Sequence, residues 1–286
     1  MNYLGKTADF MKSRFGKQKI VASCTGVNDL LKDIQSQIDT RGISLNRVGI
    51  KNIDWPLKVY DQTNGFQNTV ANISLSVALN HDIKGTHMSR FVEVLNNIDI
   101  LNPQIILSIL SSIQTKLDAE SSFFECKFPY FIWKESPVSK NISPLKIEAM
   151  ILGEKNRDET EIIIGVVVPV QTLCPCSKAI SSVGAHNQRA NVKILVKTKK
   201  KIWFEHLAAI AEMSASSPVY SLLKREDEKY VTEAAYNTPK FVEDVARDAA
   251  LLLEKEDGLK CYRVEVESHE SIHNHEAFAW VEKALS

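Results

Sequence analysis

Apolar and polar residues alternate over several long stretches of the chain, which is typical of strands that bury one face. In residues 70–79, Ile73, Leu75, Val77 and Leu79 share one face. Similar patterns predict strands at residues 55–60, 123–133, 145–152, 161–170, 191–196 and 261–267. Antiparallel sheets with one buried face follow from this pattern.

Apolar residues spaced three and four positions apart predict helices between these strands. The clearest helix begins at Pro103 and carries Ile106, Ile109, Leu110 and Ile113 on one side. Other helices are predicted at residues 27–34, 91–95, 203–213 and 241–253. Because a strand pair, a helix pair and a further strand pair occur twice in this order, we predict an α+β fold with a duplicated module. We expect an N-terminal extension at 1–40, a first module at 41–158 and a second at 159–286.

The balance of basic and acidic residues restricts the kinds of partner that the protein is expected to bind. The 35 basic and 35 acidic residues cancel, which argues against broad binding to nucleic acid or to a membrane surface but allows a local basic pocket. No apolar stretch reaches the ~20 residues of a membrane span, and no apolar block follows the basic N-terminus. The five cysteines form no disulfide framework, so we expect a cytoplasmic protein with reduced thiols.

Cys174 and Cys176 follow the predicted strand at 161–170, with Pro175 between them and His186 ten residues further on. In extended chain their Cα atoms would lie ~6.5 Å apart on one face. The two cysteines could simply be packing residues. A structural zinc finger is disfavoured because no second cysteine pair completes four ligands, and a disulfide between them would close a small, strained ring.

Two other polar clusters lie in the second half of the chain. One is the charged run at residues 224–229, and the other contains His273 and His275, whose spacing on a strand would point both rings the same way. Either cluster alone could be a solvated surface. If both converge with the cysteines, they supply the mixed sulfur, nitrogen and oxygen ligands of a catalytic metal site.

These clusters belong to longer motifs, which run in order from about residue 30 to the C-terminus: VGIK at 48–51, KGTHMSRF at 84–91, TLCPCSK at 172–178, GAHNQR at 184–189, DEKYVTE at 227–233, FVED at 241–244 and ESIHNHE at 270–276. With them the chain resembles GTP cyclohydrolase I of type IB. The resemblance implies conversion of GTP to 7,8-dihydroneopterin triphosphate and formate, the first step of folate and deazapurine tRNA-base synthesis. It also implies two tandem tunnelling-fold modules that assemble into barrels, as a homotetramer with active sites between subunits.

The resemblance further implies roles for individual residues. Cys174, Glu228 and His273 are expected to bind a divalent metal (Zn, Mn or Fe), with His186 close enough to join them. Cys176, His186 and His275 are expected to be catalytic. Glu243 is expected to hold the purine edge, although on its helix it could be a solvated charge. The cations expected to bind the triphosphate are Lys178, Arg189, Lys224, Arg225, Lys84, His87 and Arg90.

Three other functions are alternatives to GTP cyclohydrolase activity. A zinc nucleoside deaminase needs His-x-Glu and Pro-Cys-x-x-Cys, which the chain lacks. A nitrile reductase of the queuosine pathway would need a nicotinamide signature, and none is present. A metal-stabilised scaffold without activity predicts that loss of Cys176 leaves function intact and that chelation unfolds the protein.

Overall fold

Ten strands form one sheet in the computed structural model, which describes residues 33–96, 98–157 and 159–285. The strands are β1 Leu45–Asp61, β2 Gly65–Leu79, β3 Ile100–Leu101, β4 Ser121–Glu135, β5 Ile142–Asn156, β6 Glu159–Leu173, β7 Asn187–Thr198, β8 Ser217–Pro218, β9 Leu259–Ser268 and β10 Ala277–Ala284. Across the sheet they follow the order β10-β9-β7-β6-β5-β4-β2-β1-β3, and β8 pairs with the end of β6. Only the short β1–β3 pair is parallel among these described strands.

The helices of the described residues are α1 Met88–Leu95, α2 Pro103–Leu117, α3 Pro175–Ile180, α4 Phe204–Ser214, α5 Arg225–Asn237 and α6 Val242–Leu253. α2 packs on β4 and β5 beside α1, whereas α4 contacts β6 and β7, and α6 contacts β9 and β10. α2 begins where the sequence predicted. Asn102 accepts a hydrogen bond from the Ile105 amide at 2.9 Å, and Pro103 occupies the first turn.

The buried face of the sheet is continuous from its first half to its second. Phe128, Ala149, Val166, Ile194 and Val264 lie side by side on β4, β5, β6, β7 and β9, and all five are buried. Their apolar side chains belong to a single hydrophobic core.

The predicted pair of tandem modules that form barrels is therefore wrong. The fold is α+β, but β5 and β6, on either side of the predicted division, pair along nine residues of each strand from Glu148↔Val167 to Asn156↔Glu159. These two long strands complete each other's backbone hydrogen bonds, so the sheet does not divide there. The predicted boundaries at residues 40 and 158 stay predictions.

β6 is longer than the sequence predicted, and this extension positions the cysteines. The predicted strand ends at residue 170, yet β6 continues through Pro169 and Val170 to Leu173 and pairs with β7 as far as Leu173↔Asn187. Its pairing with β5 has already ended at Val167, so a residue without a backbone N–H is tolerated at this point. Cys174 and His186 consequently emerge at the same end of the sheet.

The chain divides into Met1–Ile34 and Gln35–Ser286. Most of the helix predicted at 27–34 lies outside the described residues. No helix in the described part of the chain has both the length and the apolar character needed to cross a bilayer.

Candidate active site

The ends of β6 and β7 are joined by a tightly hydrogen-bonded loop that contains Cys174 and His186. The Cys174 amide donates to the His186 carbonyl at 3.1 Å. Ser177 links the two residues, since its hydroxyl donates to the Cys174 carbonyl at 3.1 Å and accepts from the His186 amide at 3.2 Å. Cys174 also caps α3, with its Sγ 3.4 Å from the Ser177 amide. The loop therefore fixes the backbone at both side chains.

A cavity of about 550 Å³ opens beside this loop. It brings together six of the residues singled out from the sequence: Cys174, Cys176, His186, Glu243, His273 and His275. Its lining also contains polar residues that the sequence analysis missed, namely Thr172, Gln188, Lys240, Ser268, Glu270 and Glu276. Four separate segments of the chain contribute to this lining, so the fold concentrates the chemistry at one end of the sheet.

His273 and His275 reach the cavity by a different route from the predicted one. They lie in the connection between β9 and β10 and not on a strand. Their rings nevertheless stack, with centroids 5.0 Å apart and planes 18° from parallel. Both side chains are exposed, so they can exchange protons with solvent or with a ligand.

A chain of hydrogen bonds orients His186. Its Nδ1 lies 2.9 Å from Gln188 Oε1, and Gln188 Nε2 donates to Glu270 at 3.3 Å. Because the Gln188 oxygen can only accept, Nδ1 carries the proton. In the neutral ring the lone pair is then on Nε2, as a metal ligand or a general base requires. Ser268 also donates to Glu270 at 3.0 Å, which holds the far end of this chain.

Glu243 and Lys240 form the helical side of the cavity. Glu243 is exposed in the first turn of α6, where the helix dipole favours a carboxylate. Lys240 is largely buried; its Nζ donates to Asp248 at 2.7 Å and to the Ser214 carbonyl at 2.8 Å. Lys240 therefore serves as a fixed positive charge whose partners are already in place.

Other predicted site residues lie outside the lining. Glu228, Lys224 and Arg225 are exposed at the start of α5. Lys178 donates to the Tyr236 carbonyl and lies over the Tyr236 ring. Arg189 is exposed on β7, next to Gln188 and on the opposite face.

The three predicted cations of the first half are near α1, away from the cavity. Lys84 donates to Gln37 at 3.1 Å, and Arg90 donates to the Lys116 carbonyl at 2.6 Å. His87 directly precedes α1. Within one chain, the structure thus does not bring these residues to the cysteines.

Asp227 holds the start of α5 in place. Its buried carboxylate accepts from the amides of Val138, Ser139 and Lys224, each at 2.8 Å, and from the Ser139 hydroxyl. Burial by itself raises the pKa of Asp227, but these hydrogen bonds outweigh it and bring the pKa well below its usual value. The position of the neighbouring Glu228 depends on this capping interaction.

The donor types in the cavity fit a divalent metal. A thiol, imidazoles and a carboxylate are available from Cys174, His186, His273 and Glu270, a set that suits Zn²⁺ and also Mn²⁺ or Fe²⁺. Within the described residues, the tightest group of such atoms is a different one, Glu267, His269 and Glu276, whose ligand atoms all lie within 4.8 Å of one another. Those three side chains are exposed, and His269 already contacts Glu276 at 2.9 Å.

Weak sequence signals existed for two of the missed residues. Gln188 follows His186 by two positions at the start of a strand, so both side chains have the same orientation. Glu270 precedes His273 by three positions and is within the motif ESIHNHE. Thr172 likewise begins the motif TLCPCSK, two positions before Cys174, but its lack of a hydrogen-bond partner among the described residues is evident only in the folded chain.

Comparison with known proteins identifies close relatives. The family model for type I GTP cyclohydrolase FolE2 matches residues 31–279. Proteins named GTP cyclohydrolase FolE2 from Dictyoglomus turgidum and Thermotoga maritima are 59% and 57% identical over 253 residues, covering 88% of this chain and 98% and 97% of theirs. The protein of that name from Caldicellulosiruptor bescii is 50% identical over 254 residues, covering 89% of this chain and 99% of its own.

Among solved structures, urate oxidase from Bacillus sp. TB-90 matches with a TM-score of 0.51 at 10% identity, covering 84% of this chain and 100% of its own. This likeness concerns the fold alone.

The family resemblance predicted from the sequence motifs is confirmed by the relatives.

Proposed function

The chain belongs to the type I GTP cyclohydrolase FolE2 family, and from this we propose that the cavity beside Cys174 is its active site. The protein is a GTP cyclohydrolase I of folate biosynthesis. The net reaction consumes GTP and one water and gives 7,8-dihydroneopterin triphosphate and formate. One observation supports the choice of site above the others: six residues selected from distant sequence motifs line this single cavity.

Cys174, His186 and His273 would hold the divalent metal. A carboxylate would come from Glu270, which lines the same cavity, or from Glu228, which is exposed on α5. A bound divalent cation supplies Lewis-acid activation of water at neutral pH. The donor set is compatible with Zn, Mn or Fe.

The remaining side chains would move protons and hold the base. We assign proton transfer at C8 to Cys176 Sγ, because this thiol is exposed in the cavity and is not needed for the ligand set. His275, stacked on His273, and His186 would exchange protons during ring opening. The Glu243 carboxylate would accept hydrogen bonds from N1–H and the 2-amino group of guanine.

The number of cations needed to bind the triphosphate of GTP favours a homo-oligomer with active sites between subunits. In the described residues that line the cavity, Lys240 is the one lysine or arginine, and it is already paired with Asp248. A triphosphate needs several cations. We propose that Lys178, Arg189, Lys224 and Arg225 bind it together with Lys84, His87 and Arg90 of a neighbouring copy, in a homotetramer acting in the cytoplasm.

The proposed function is tested by incubating the purified protein with GTP and Mn²⁺ or Zn²⁺, then oxidising the mixture. We expect neopterin fluorescence and one formate per GTP, and chelation should stop turnover without unfolding the protein. If no fluorescence appears with any divalent metal, the proposal is wrong. If chelation unfolds the chain, the metal is structural, as the scaffold alternative predicts.

A further inference from the structure

Thr172 has a buried hydroxyl without a hydrogen-bond partner among the described residues. The residue is only 1% exposed and lies at the end of β6, two positions before Cys174. It also lines the candidate active site. A buried hydroxyl without a hydrogen-bond partner destabilises the folded chain, and a valine of the same shape would not.

Neighbouring hydroxyls do not share this property. Ser216 Oγ accepts from the Leu173 amide at 3.2 Å, and Ser214 Oγ donates to the Ile210 carbonyl at 2.7 Å. Ser268, on the same cavity wall, donates to Glu270. The region therefore pairs its hydroxyls as usual, and Thr172 is the exception that faces the cavity.

The position of Thr172 suits contact with a bound purine. It pairs with Gln188 across the β6–β7 ladder, and both side chains line the cavity. Cys174 follows at the alternate position, and Glu243 lies on the helical side of the same cavity. A guanine base that is held by Glu243 and has its C8 atom directed at the cysteines would lie against the part of the cavity formed by Thr172 and Gln188.

We propose that the Thr172 hydroxyl donates a hydrogen bond to O6 of the guanine base. The inference rests on the proposed function, in which Glu243 uses the N1–H and 2-amino donors of the base. O6 is the acceptor next to N1, and it loses its water when the base is enclosed. The unpartnered hydroxyl and the desolvated oxygen then satisfy each other, which makes Thr172 a residue for recognition of the 6-oxo group.

The test compares Thr172→Val, which keeps the shape and removes the hydroxyl, with Thr172→Ser, which keeps the hydroxyl. For Thr172→Val we expect KM for GTP to rise about five- to tenfold and kcat to change less, from the loss of one hydrogen bond. Without GTP, its Tm should rise by about 2–4 °C, because the buried unpaired group is gone. Thr172→Ser should stay within about twofold of the wild-type KM.

Thr69→Val is the matched control, because Thr69 also lies on a strand but its hydroxyl is paired with the Pro129 carbonyl at 2.9 Å. It should leave KM unchanged and should not raise Tm. An unchanged KM in Thr172→Val, or a lowered Tm, overturns the inference while the wild type still converts GTP. A wild type that makes no product instead refutes the proposed function itself.

Discussion

Two polar regions of this molecule differ in whether their side chains are exposed or are buried and paired with each other. In the cavity beside Cys174, the thiol of Cys176, the rings of His273 and His275 and the carboxylate of Glu243 are exposed. Under α4, by contrast, Lys134 of β4 and Glu212 of the helix itself are mostly buried and paired with each other. The groups of the first region are accessible to a ligand, whereas those of the second are already paired with each other.

Burial also shifts the pKa values of the paired residues under α4. Burial lowers the pKa of Lys134 and raises the pKa of Glu212, against the attraction between them. Lys134 donates in addition to the Val219 carbonyl at 2.9 Å, and nearby Tyr130 donates to Glu205 at 2.7 Å. Whether charged side chains are paired with each other therefore distinguishes a structural cluster from a functional one better than residue type does. We therefore expect mutations in the cavity to reduce activity and mutations under α4 to reduce stability.

The largest effect is expected for Cys176→Ala. Turnover of GTP should fall about a thousandfold, because proton transfer in the cavity is lost. Metal content and Tm should match those of the wild type. The matched control is Cys261→Ala on β9, outside the cavity lining, which should keep its activity. Loss of metal in Cys176→Ala would show that this thiol is a ligand.

Glu212→Gln should act on stability alone. It leaves the Lys134 charge buried without a counter-charge, which should lower the free energy of unfolding by about 3 kcal/mol in urea titrations. The folded fraction should keep the wild-type kcat/KM. Replacing both residues, as Lys134→Met with Glu212→Leu, should recover most of the stability. If activity per folded molecule fell instead, the division between the two regions would be incorrect.

Gln188→Leu should have a smaller effect on activity. Without the Gln188 oxygen, the His186 ring loses the acceptor that fixes its tautomer, so metal affinity or turnover should fall about 10–100-fold. Gln171→Leu, one strand away on the opposite face of β6, is the control and should behave as wild type. Equal effects from both substitutions would mean that the strand was disturbed and not the ring.

The smallest effect concerns pH and Asp227. The pKa of this carboxyl is lowered in the folded chain, so its contribution to stability is complete above the ordinary aspartate pKa of about 4 and is lost as pH falls below it. Asp227→Asn should lower Tm at pH 7 and should show a shallower decline of Tm in acid than the wild type. Parallel Tm curves for the two proteins would contradict the assignment.

Sequence reasoning succeeded where a periodic pattern determines the structure. The long strands β1, β2, β4, β5, β6, β7 and β9 were predicted from alternation, and α2 was predicted from Pro103 and the apolar spacing that follows it. α5 was missed, because only Asp227 and Ala235 of this helix are buried and no apolar stripe marks it. The prediction of two tandem modules that form barrels was wrong, because element order does not reveal that β5 and β6 pair.

The candidate site was also only partly predictable. Motifs identified six residues of the lining, since rare side chains at fixed spacing are visible in a sequence. The His186–Gln188–Glu270 chain and the unpaired Thr172 hydroxyl were not visible, because hydrogen-bond partners depend on how β7 pairs with β6 and with β9 in the folded chain. The contact of Lys178 on α3 with Tyr236 on α5 could not be foreseen either, because it depends on the packing of two helices that the sequence analysis did not predict.

The most direct test of the account is anomalous diffraction from crystals grown with Zn²⁺. We expect a principal peak in the cavity, about 2.3 Å from Cys174 Sγ, with the His186 Nε2 and His273 nitrogens as further ligands. A peak only at Glu267, His269 and Glu276, with none beside Cys174, would contradict it.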